Sequence, residues 1–142
     1  FLSPNSMDKK FGRNYVETDG LYELKGRFEV DRYMEYNGYG FTKRFDPLSY
    51  LYIVKMMNIF DCTRHYDSLA HALSQIHSHI TLISFSSDLL FPPNCMREIA
   101  DELKSIGKEY EYIEIDSDYG HDAFLVEIEK FDKIVKRILD ER

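Results

Sequence analysis

The spacing of apolar residues along this chain changes near residue 80. Before that point the apolar side chains recur at helical intervals, and no strand pattern occurs. The pattern predicts three helices. The first covers Leu24–Tyr36 and is ended by Gly38 and Gly40. The second has Asp46 as N-cap and Pro47 in its first turn and runs to Phe60, and a short third covers about Ser68–His77. The second helix is apolar almost all round, which predicts that two of its faces are covered.

After residue 80 the pattern becomes that of a strand and helix unit. Ile80–Phe85 and Tyr110–Ile115 are short apolar runs typical of strands. An amphipathic stretch over Pro93–Ile106, stopped by Gly107, lies between them, and a strong helical stripe covers Asp122–Arg142. The order strand, helix, strand, helix predicts an α/β fold with parallel strands and a right-handed crossover.

Two parallel strands do not form a stable sheet alone, and parallel sheets need both faces covered. We therefore expect the chain to be a piece of a longer protein, or to bury its apolar surface against copies of itself. The absence of an initiating methionine before Phe1 is in keeping with that expectation. The first residues also lack the basic and apolar regions of a signal peptide.

Composition limits the classes of function. The 142 residues are 44% apolar and 30% charged, as in ordinary globular domains, and the formal net charge is −7. The negative net charge argues against nucleic-acid binding. The sequence has no run of about 18 apolar residues, so no membrane span is predicted. Cys62 and Cys95 have neither metal nor redox spacing, which indicates a reducing, cytoplasmic setting.

An aspartate and a histidine follow the two predicted strands. Asp88 comes shortly after the first strand, and His121 comes after the second, in a turn that begins with Gly120. Ligands of open α/β sheets bind at the carboxyl ends of the strands, and neighbouring strands lie about 4.8 Å apart. Asp88 is therefore expected within hydrogen-bond reach of His121, which would act as general base and then general acid. The alternative is two unrelated surface residues in loops.

Other polar groups in these loops are weaker candidates. Ser86 and Ser87 are interpreted as loop serines at a strand end rather than as a nucleophile. His77 and His79 have no third metal ligand near them in sequence, and the Asp116-x-Asp118-x-Gly120 pattern lacks the glutamate that closes a calcium loop. No metal site is predicted.

Several segments resemble one enzyme family. They are Lys43–Leu51, Asp88–Pro93, Tyr112–Ser117 and Tyr119–Leu125. The first is similar to the helical lid, and the others to the C-terminal part, of homoserine O-acetyltransferases. The resemblance implies an α/β-hydrolase fold, with residues 1–78 as a helical lid segment and residues 79–142 as the C-terminal βαβα part of the core. It also implies transfer of an acetyl group from acetyl-CoA to the hydroxyl of L-homoserine, in methionine synthesis, through an acyl-serine.

The resemblance also assigns roles to single residues. It implies that Asp88 is the acid and His121 the base of a Ser-Asp-His triad, and that Asp122 holds the amino group of the substrate. Asp122 could also be a cap or first-turn acid of the last helix, and the two roles are compatible. The resemblance implies no cofactor besides the co-substrate acetyl-CoA, and a homodimer formed through the lids. Phe1 stands where many relatives have a tyrosine near the substrate.

The nucleophile of this family is expected outside the chain. It sits in a strand-turn-helix elbow, typically G-x-S-x-G, and no such pattern occurs in these 142 residues. Related activities therefore stay open: transfer of a succinyl group, serine as the acceptor, or hydrolysis with water as the acceptor. A further alternative is an inactive fragment that associates with itself through its helical half.

Overall fold

The computed structural model of the chain describes residues 2–17 and 22–140. In chain order the elements are α1 (Pro4–Lys10), α2 (Glu29–Arg44), α3 (Pro47–Ile59), α4 (Leu69–Ser74), β1 (Ile80–Phe85), α5 (Pro93–Ser105), β2 (Tyr110–Ile115), α6 (Ala123–Val126) and α7 (Ile128–Asp140). They form two compact units: Asp8–Asp61 is one, and the residues up to Met7 together with those from Cys62 onward are the other. The predicted boundary between residues 78 and 79 separates a lid from a core and stays a prediction.

Helix α3 begins as its sequence predicts. The Asp46 carboxylate accepts a hydrogen bond of 2.7 Å from the Ser49 N–H, and Pro47 occupies the first turn, where its missing N–H costs nothing. Hydrogen bonds from the backbone and the side chain of Ser49 lower the pKa of Asp46. The expected cover for two faces of α3 is not found within the described chain, since Leu51, Ile53 and Met56 are 61%, 56% and 66% exposed.

The prediction that Gly38 and Gly40 end the first predicted helix, Leu24–Tyr36, is wrong. Helix α2 starts at Glu29, where the Asp31 side chain accepts the Phe28 N–H, and it continues through both glycines to Arg44. A glycine in a helix costs only about 1 kcal/mol and does not stop it. The stop comes at Phe45 and Asp46, which are both extended. Proline disfavours the helical conformation in the residue before it, so Pro47 both ends α2 and begins α3.

Replacing the two helical glycines should stabilise the chain. A Cβ added at Gly38 or Gly40 meets no atom within 4 Å. Gly38→Ala with Gly40→Ala should therefore raise the free energy of unfolding by about 1–2 kcal/mol, since alanine loses less backbone entropy. Thermal or denaturant unfolding measures the change.

The matched control for these variants is Gly107→Ala. Its Cβ would also meet open space, but the backbone φ of Gly107 is +68°. The same substitution should therefore lower the free energy of unfolding there, by about 1 kcal/mol. Equal effects of alanine at all three positions would contradict the assignment of Gly38 and Gly40 to a regular helix.

The predicted strands and the helix between them are confirmed. β1 and β2 are parallel, with Ile80 beside Tyr110 and Phe85 beside Ile115. Between them α5 buries Leu103 completely, and it ends as predicted at Gly107, beyond which the Lys108 N–H bonds the Leu103 carbonyl at 3.0 Å. The handedness of the crossover stays a prediction.

The C-terminal stripe is not one helix, as the sequence predicted, but three pieces. A 3₁₀ turn over Gly120–Asp122 leads into α6, and the chain leaves helical geometry at Glu127 before α7 begins. With this break, the rings of Phe124 and Phe131 lie 6.2 Å apart and both pack against the core of Phe85, Ile115 and Ala123. The predicted end at Arg142 lies outside the described residues. Along the described parts of the chain, no helix is long and apolar enough to cross a membrane.

Candidate active site

The two loops that follow the strands start side by side. Phe85 and Ile115 are paired at the ends of the strands, and the Ser86 N–H donates to the Ile115 carbonyl at 2.9 Å, which extends the ladder by one more bond. The chain leaves both strands at the same edge of the sheet. Residues a few positions further along each loop can therefore meet.

Asp88 and His121 meet in this way. The His121 Nδ1 atom lies 2.8 Å from the Asp88 Oδ2 atom. The Asp88 side chain is buried, at 4% exposure, while 30% of the His121 side chain is exposed. The arrangement therefore places a buried carboxylate behind an imidazole that reaches the surface.

The other carboxylate oxygen of Asp88 is also bound. Its Oδ1 atom accepts the backbone N–H groups of Leu90, at 2.8 Å, and of Phe91, at 2.9 Å. Burial is the largest single influence on the pKa of Asp88 and raises it. The hydrogen bonds from Phe91, His121 and Leu90 and the charge of His121 together outweigh burial and hold this pKa below its ordinary value of 3.8. Asp88 is therefore ionised at neutral pH.

An ionised Asp88 fixes the tautomer of His121. A carboxylate only accepts hydrogen bonds, so the neutral imidazole carries its proton on Nδ1 and has its lone pair on Nε2. The ring is held between aromatic neighbours: its centroid lies 5.2 Å from that of Phe91 and 5.8 Å from that of Phe124. The contact with Asp88 and these two rings thus fix the orientation of the His121 ring.

Serine hydroxyls join the two loops. The Ser87 Oγ atom accepts the Gly120 N–H at 2.8 Å, and Gly120 has a φ of +63°, which a side chain would disfavour. The Ser86 Oγ atom accepts the Ser117 N–H at 3.0 Å and donates to the Asp116 carboxylate at 2.8 Å. The sequence predicted only that Ser86 and Ser87 are loop serines at a strand end, and it did not predict these bonds. The position of the two serines directly after a strand was the available signal.

The N-terminal helix, which is not among the three helices with predicted bounds, supports the same loop. Ser3 precedes α1, is 1% exposed, and donates its hydroxyl to the Asp118 carbonyl while accepting the Ser6 N–H at 3.1 Å. The Asn5 amide donates to the Asp118 side chain at 3.2 Å. The loop before His121 is therefore held both by the N-terminal segment and by the loop that follows β1.

Asp122 lies next to the histidine, at the N-cap position of α6. Its side chain makes no capping hydrogen bond and is half-buried. The capping role considered from the sequence is therefore absent. Phe1 lies outside the described residues. Among the residues that the structure describes, no group of three or more His, Cys, Asp or Glu side chains could hold a metal ion.

Asp88→Asn should destabilise the chain at neutral pH by about 1–3 kcal/mol, because an amide N–H₂ cannot accept the Nδ1 proton of His121. Because the folded-state pKa of Asp88 is depressed, its contribution is full above the ordinary value of 3.8 and is lost as the pH falls through the folded-state value. The difference between wild type and variant should shrink correspondingly. Denaturant unfolding between about pH 7 and pH 3 measures it.

The control for this prediction is Asp101→Asn, at an exposed position of α5. It should change the free energy of unfolding by less than about 0.5 kcal/mol at neutral pH. A deficit in Asp88→Asn that stays constant across the acid range would contradict an ionised, hydrogen-bonded Asp88.

The fold of the chain matches part of two solved structures. The chain superposes on a homoserine O-acetyltransferase from Bacillus anthracis with a TM-score of 0.83 and 25% identity, over 94% of this chain and 36% of the other. It also superposes on esterase E22, with a TM-score of 0.78 and 19% identity, over 97% of this chain and 38% of that one. The chain is thus part of an α/β-hydrolase fold, as predicted.

Sequence comparison relates the chain to one family within that class. The chain is 60% identical over 141 residues to a homoserine O-acetyltransferase of Sulfurimonas autotrophica and 54% identical over 139 residues to one of Nautilia profundicola. These matches cover 99% and 98% of this chain. No family model matches. The chain is therefore homologous to a segment of the homoserine O-acetyltransferases, which confirms the resemblance of the motifs. It spans 38% of the length of each of these two relatives.

Proposed function

We propose that this chain supplies the acid and the base of an acetyltransferase that moves an acetyl group from acetyl-CoA to the hydroxyl of L-homoserine. The observation that carries the proposal is the contact of 2.8 Å between the His121 Nδ1 and Asp88 Oδ2 atoms at the ends of two parallel strands. The relatives' name supports the acceptor and the acetyl group. The serine nucleophile comes from sequence outside these 142 residues.

In the first half-reaction His121 Nε2 takes the proton of the serine hydroxyl, and the serine oxygen attacks the thioester carbonyl of acetyl-CoA. The resulting imidazolium is stabilised by the Asp88 carboxylate. As the carbon–sulfur bond breaks, the imidazolium returns the proton to the CoA sulfur, and acetyl-serine remains. In the second half-reaction His121 takes the proton of the homoserine hydroxyl, whose oxygen attacks the acetyl carbonyl, and then returns it to the serine.

Asp122 is proposed to bind the amino group of homoserine. An ammonium group is best held by a carboxylate that both neutralises its charge and accepts its hydrogen bonds. The Asp122 carboxylate is next to His121 in sequence and is not used as a helix cap. These two features leave it available beside the base, where the acceptor has to bind.

The helical unit is proposed to mediate a homodimer. Its support is the exposure of large apolar side chains on α2 and α3, among them Tyr39, at 65%, and Met56, at 66%. Water-exposed apolar surface of this kind favours association. A cytoplasmic location is likewise part of the proposal, and its support is that Cys62 and Cys95 are free thiols.

The activity can be tested in a chimera. The matching segment of the Sulfurimonas autotrophica relative is replaced by this chain, and CoA release is followed with acetyl-CoA and homoserine. The chimera should turn over, whereas His121→Ala should lower kcat/KM by at least about 10³-fold because the general base is lost. The 142-residue chain alone should release no CoA.

A loss below about tenfold in His121→Ala would contradict a role as general base. His71→Ala is the matched control: His71 is a partly exposed histidine whose Nδ1 atom also lies near an aspartate, at 3.6 Å from Asp67, and it should keep the activity. CoA release at the same rate without homoserine would mean that the acceptor is water and the protein a hydrolase.

Asp122→Asn in the chimera should raise the KM for homoserine by about 10- to 100-fold, because a charge-assisted hydrogen bond is lost. The KM for acetyl-CoA should change by less than about twofold. Steady-state kinetics with each substrate varied in turn gives both values. Equal increases in the two constants, or none, would exclude Asp122 as the ligand of the amino group; Asp101→Asn serves as the exposed control.

A further inference from the structure

Three consecutive residues after β1 bind, in order, to the loop that follows β2. Ser86 bonds Asp116 and Ser117, Ser87 bonds Gly120, and Asp88 bonds His121. The contacts continue the parallel order of the strands beyond the end of the sheet. The acid and the base are therefore the last members of a series, and the hydroxyl contact just before them decides how the two loops approach.

The contact between Ser87 and Gly120 directly precedes the Asp88–His121 contact in both loops. The peptide bond of Ser87 leads directly to Asp88, and its partner Gly120 leads directly to His121. The two loops are thus joined at two successive positions. The Gly120 N–H bonds the Ser87 hydroxyl at 2.8 Å, and the next residues, His121 and Asp88, bond each other. Ser87 is half-buried and Gly120 buried, whereas Ser86 is exposed. Water competes less for the Ser87 contact than for that of Ser86.

Gly120 needs this contact for a physical reason. With a φ of +63° it occupies a conformation that glycine enters readily and leaves as readily. Its N–H is removed from solvent and has the Ser87 hydroxyl as its acceptor. Without the hydroxyl the turn loses the bond that selects this conformation, and the direction of the following His121 side chain is no longer fixed.

We propose that Ser87 is a positioning residue that sets the orientation of His121 against Asp88 through the Gly120 N–H. The inference rests on the proposed function, since it concerns the proton transfer carried out by His121. Ser87 does not touch the reacting atoms. Its hydroxyl acts through the turn, so its loss should lower kcat and leave the binding of acetyl-CoA unchanged.

The experiment compares Ser87 variants in the chimera described above. Ser87→Ala should lower kcat by about 10- to 100-fold, the range expected for a displaced catalytic group, with an unchanged KM for acetyl-CoA. Ser87→Thr keeps the hydroxyl and should restore kcat to within about threefold, whereas Ser87→Val, of the same shape without the hydroxyl, should behave like alanine. Ser105→Ala is the control, because it removes a serine bond of 2.8 Å to a backbone carbonyl on α5 and should change nothing.

A second readout does not depend on turnover. An imidazole N–H that is bonded to a carboxylate gives a far-downfield proton resonance, which His121→Ala identifies by its loss. This resonance should persist in Ser87→Thr and broaden or vanish in Ser87→Ala and Ser87→Val. A residue that only stabilised the fold would lower the melting temperature and leave the resonance in place.

The outcomes separate this inference from the proposed function. A chimera that requires His121 but is indifferent to Ser87→Ala and Ser87→Val, with the resonance retained, would overturn the role of Ser87 and keep the function. An inactive wild-type chimera would overturn the proposed function, and the resonance series would still decide whether Ser87 orients the histidine. If Ser87→Ala does not fold, the threonine and valine pair decides; failure of both to fold would overturn a positioning role.

Discussion

The pairing of Phe85 with Ile115 is the constraint on which the rest of the site depends. In a parallel pair both strands leave the sheet at the same edge, so this register sets the level from which the two loops start. A slip of one residue would turn the side chains of one strand to the other face. It would also separate Ser86, Ser87 and Asp88 from their partners, because these contacts repeat the order of the ladder. The core of Phe85, Ile115 and Ala123 opposes such a slip, since it buries the last residue of each strand beside the first residue of α6.

The second constraint is the burial of a charge. An ionised carboxylate as enclosed as Asp88 is unfavourable unless its oxygens are hydrogen-bonded, and both are: one accepts two backbone N–H groups and the other the imidazole of His121. The backbone donors hold the carboxylate in place whether or not the histidine is charged. The contact with the imidazole can therefore strengthen when a proton arrives on Nε2, without any rearrangement of Asp88. This is the preorganisation that the proposed proton transfer needs.

Local sequence predicted most elements whose signals are local. The misses have two causes: two competing local signals at the end of α2, and contacts between distant residues elsewhere. Asp46 and Pro47 identify the start of α3, and the apolar runs identify β1 and β2, because cap chemistry and periodicity act within a few residues. The end of α2 was misplaced because a helical glycine costs little, and the proline after Asp46 provides the stronger stop. The break at Glu127 has no signal in a continuous apolar stripe. Asp88 and His121 were predictable as a pair once the strands were parallel, whereas the contact of Ser87 with Gly120 depends on the register, which periodicity does not fix.

Several contacts that orient His121 come from residues 85–91 and 115–124 of this chain. Asp88, Ser87 and the flanking rings of Phe91 and Phe124 define the position of the imidazole within one βαβ unit. The proposed chemistry in turn needs a serine from sequence that the chain, at 38% of the length of its relatives, does not include. On the proposed function the site combines an acid–base pair held by these loops with a nucleophile that has to reach Nε2. In such an arrangement the orientation of the pair depends on contacts between the two loops, the second of which is also supported by Ser3 and Asn5.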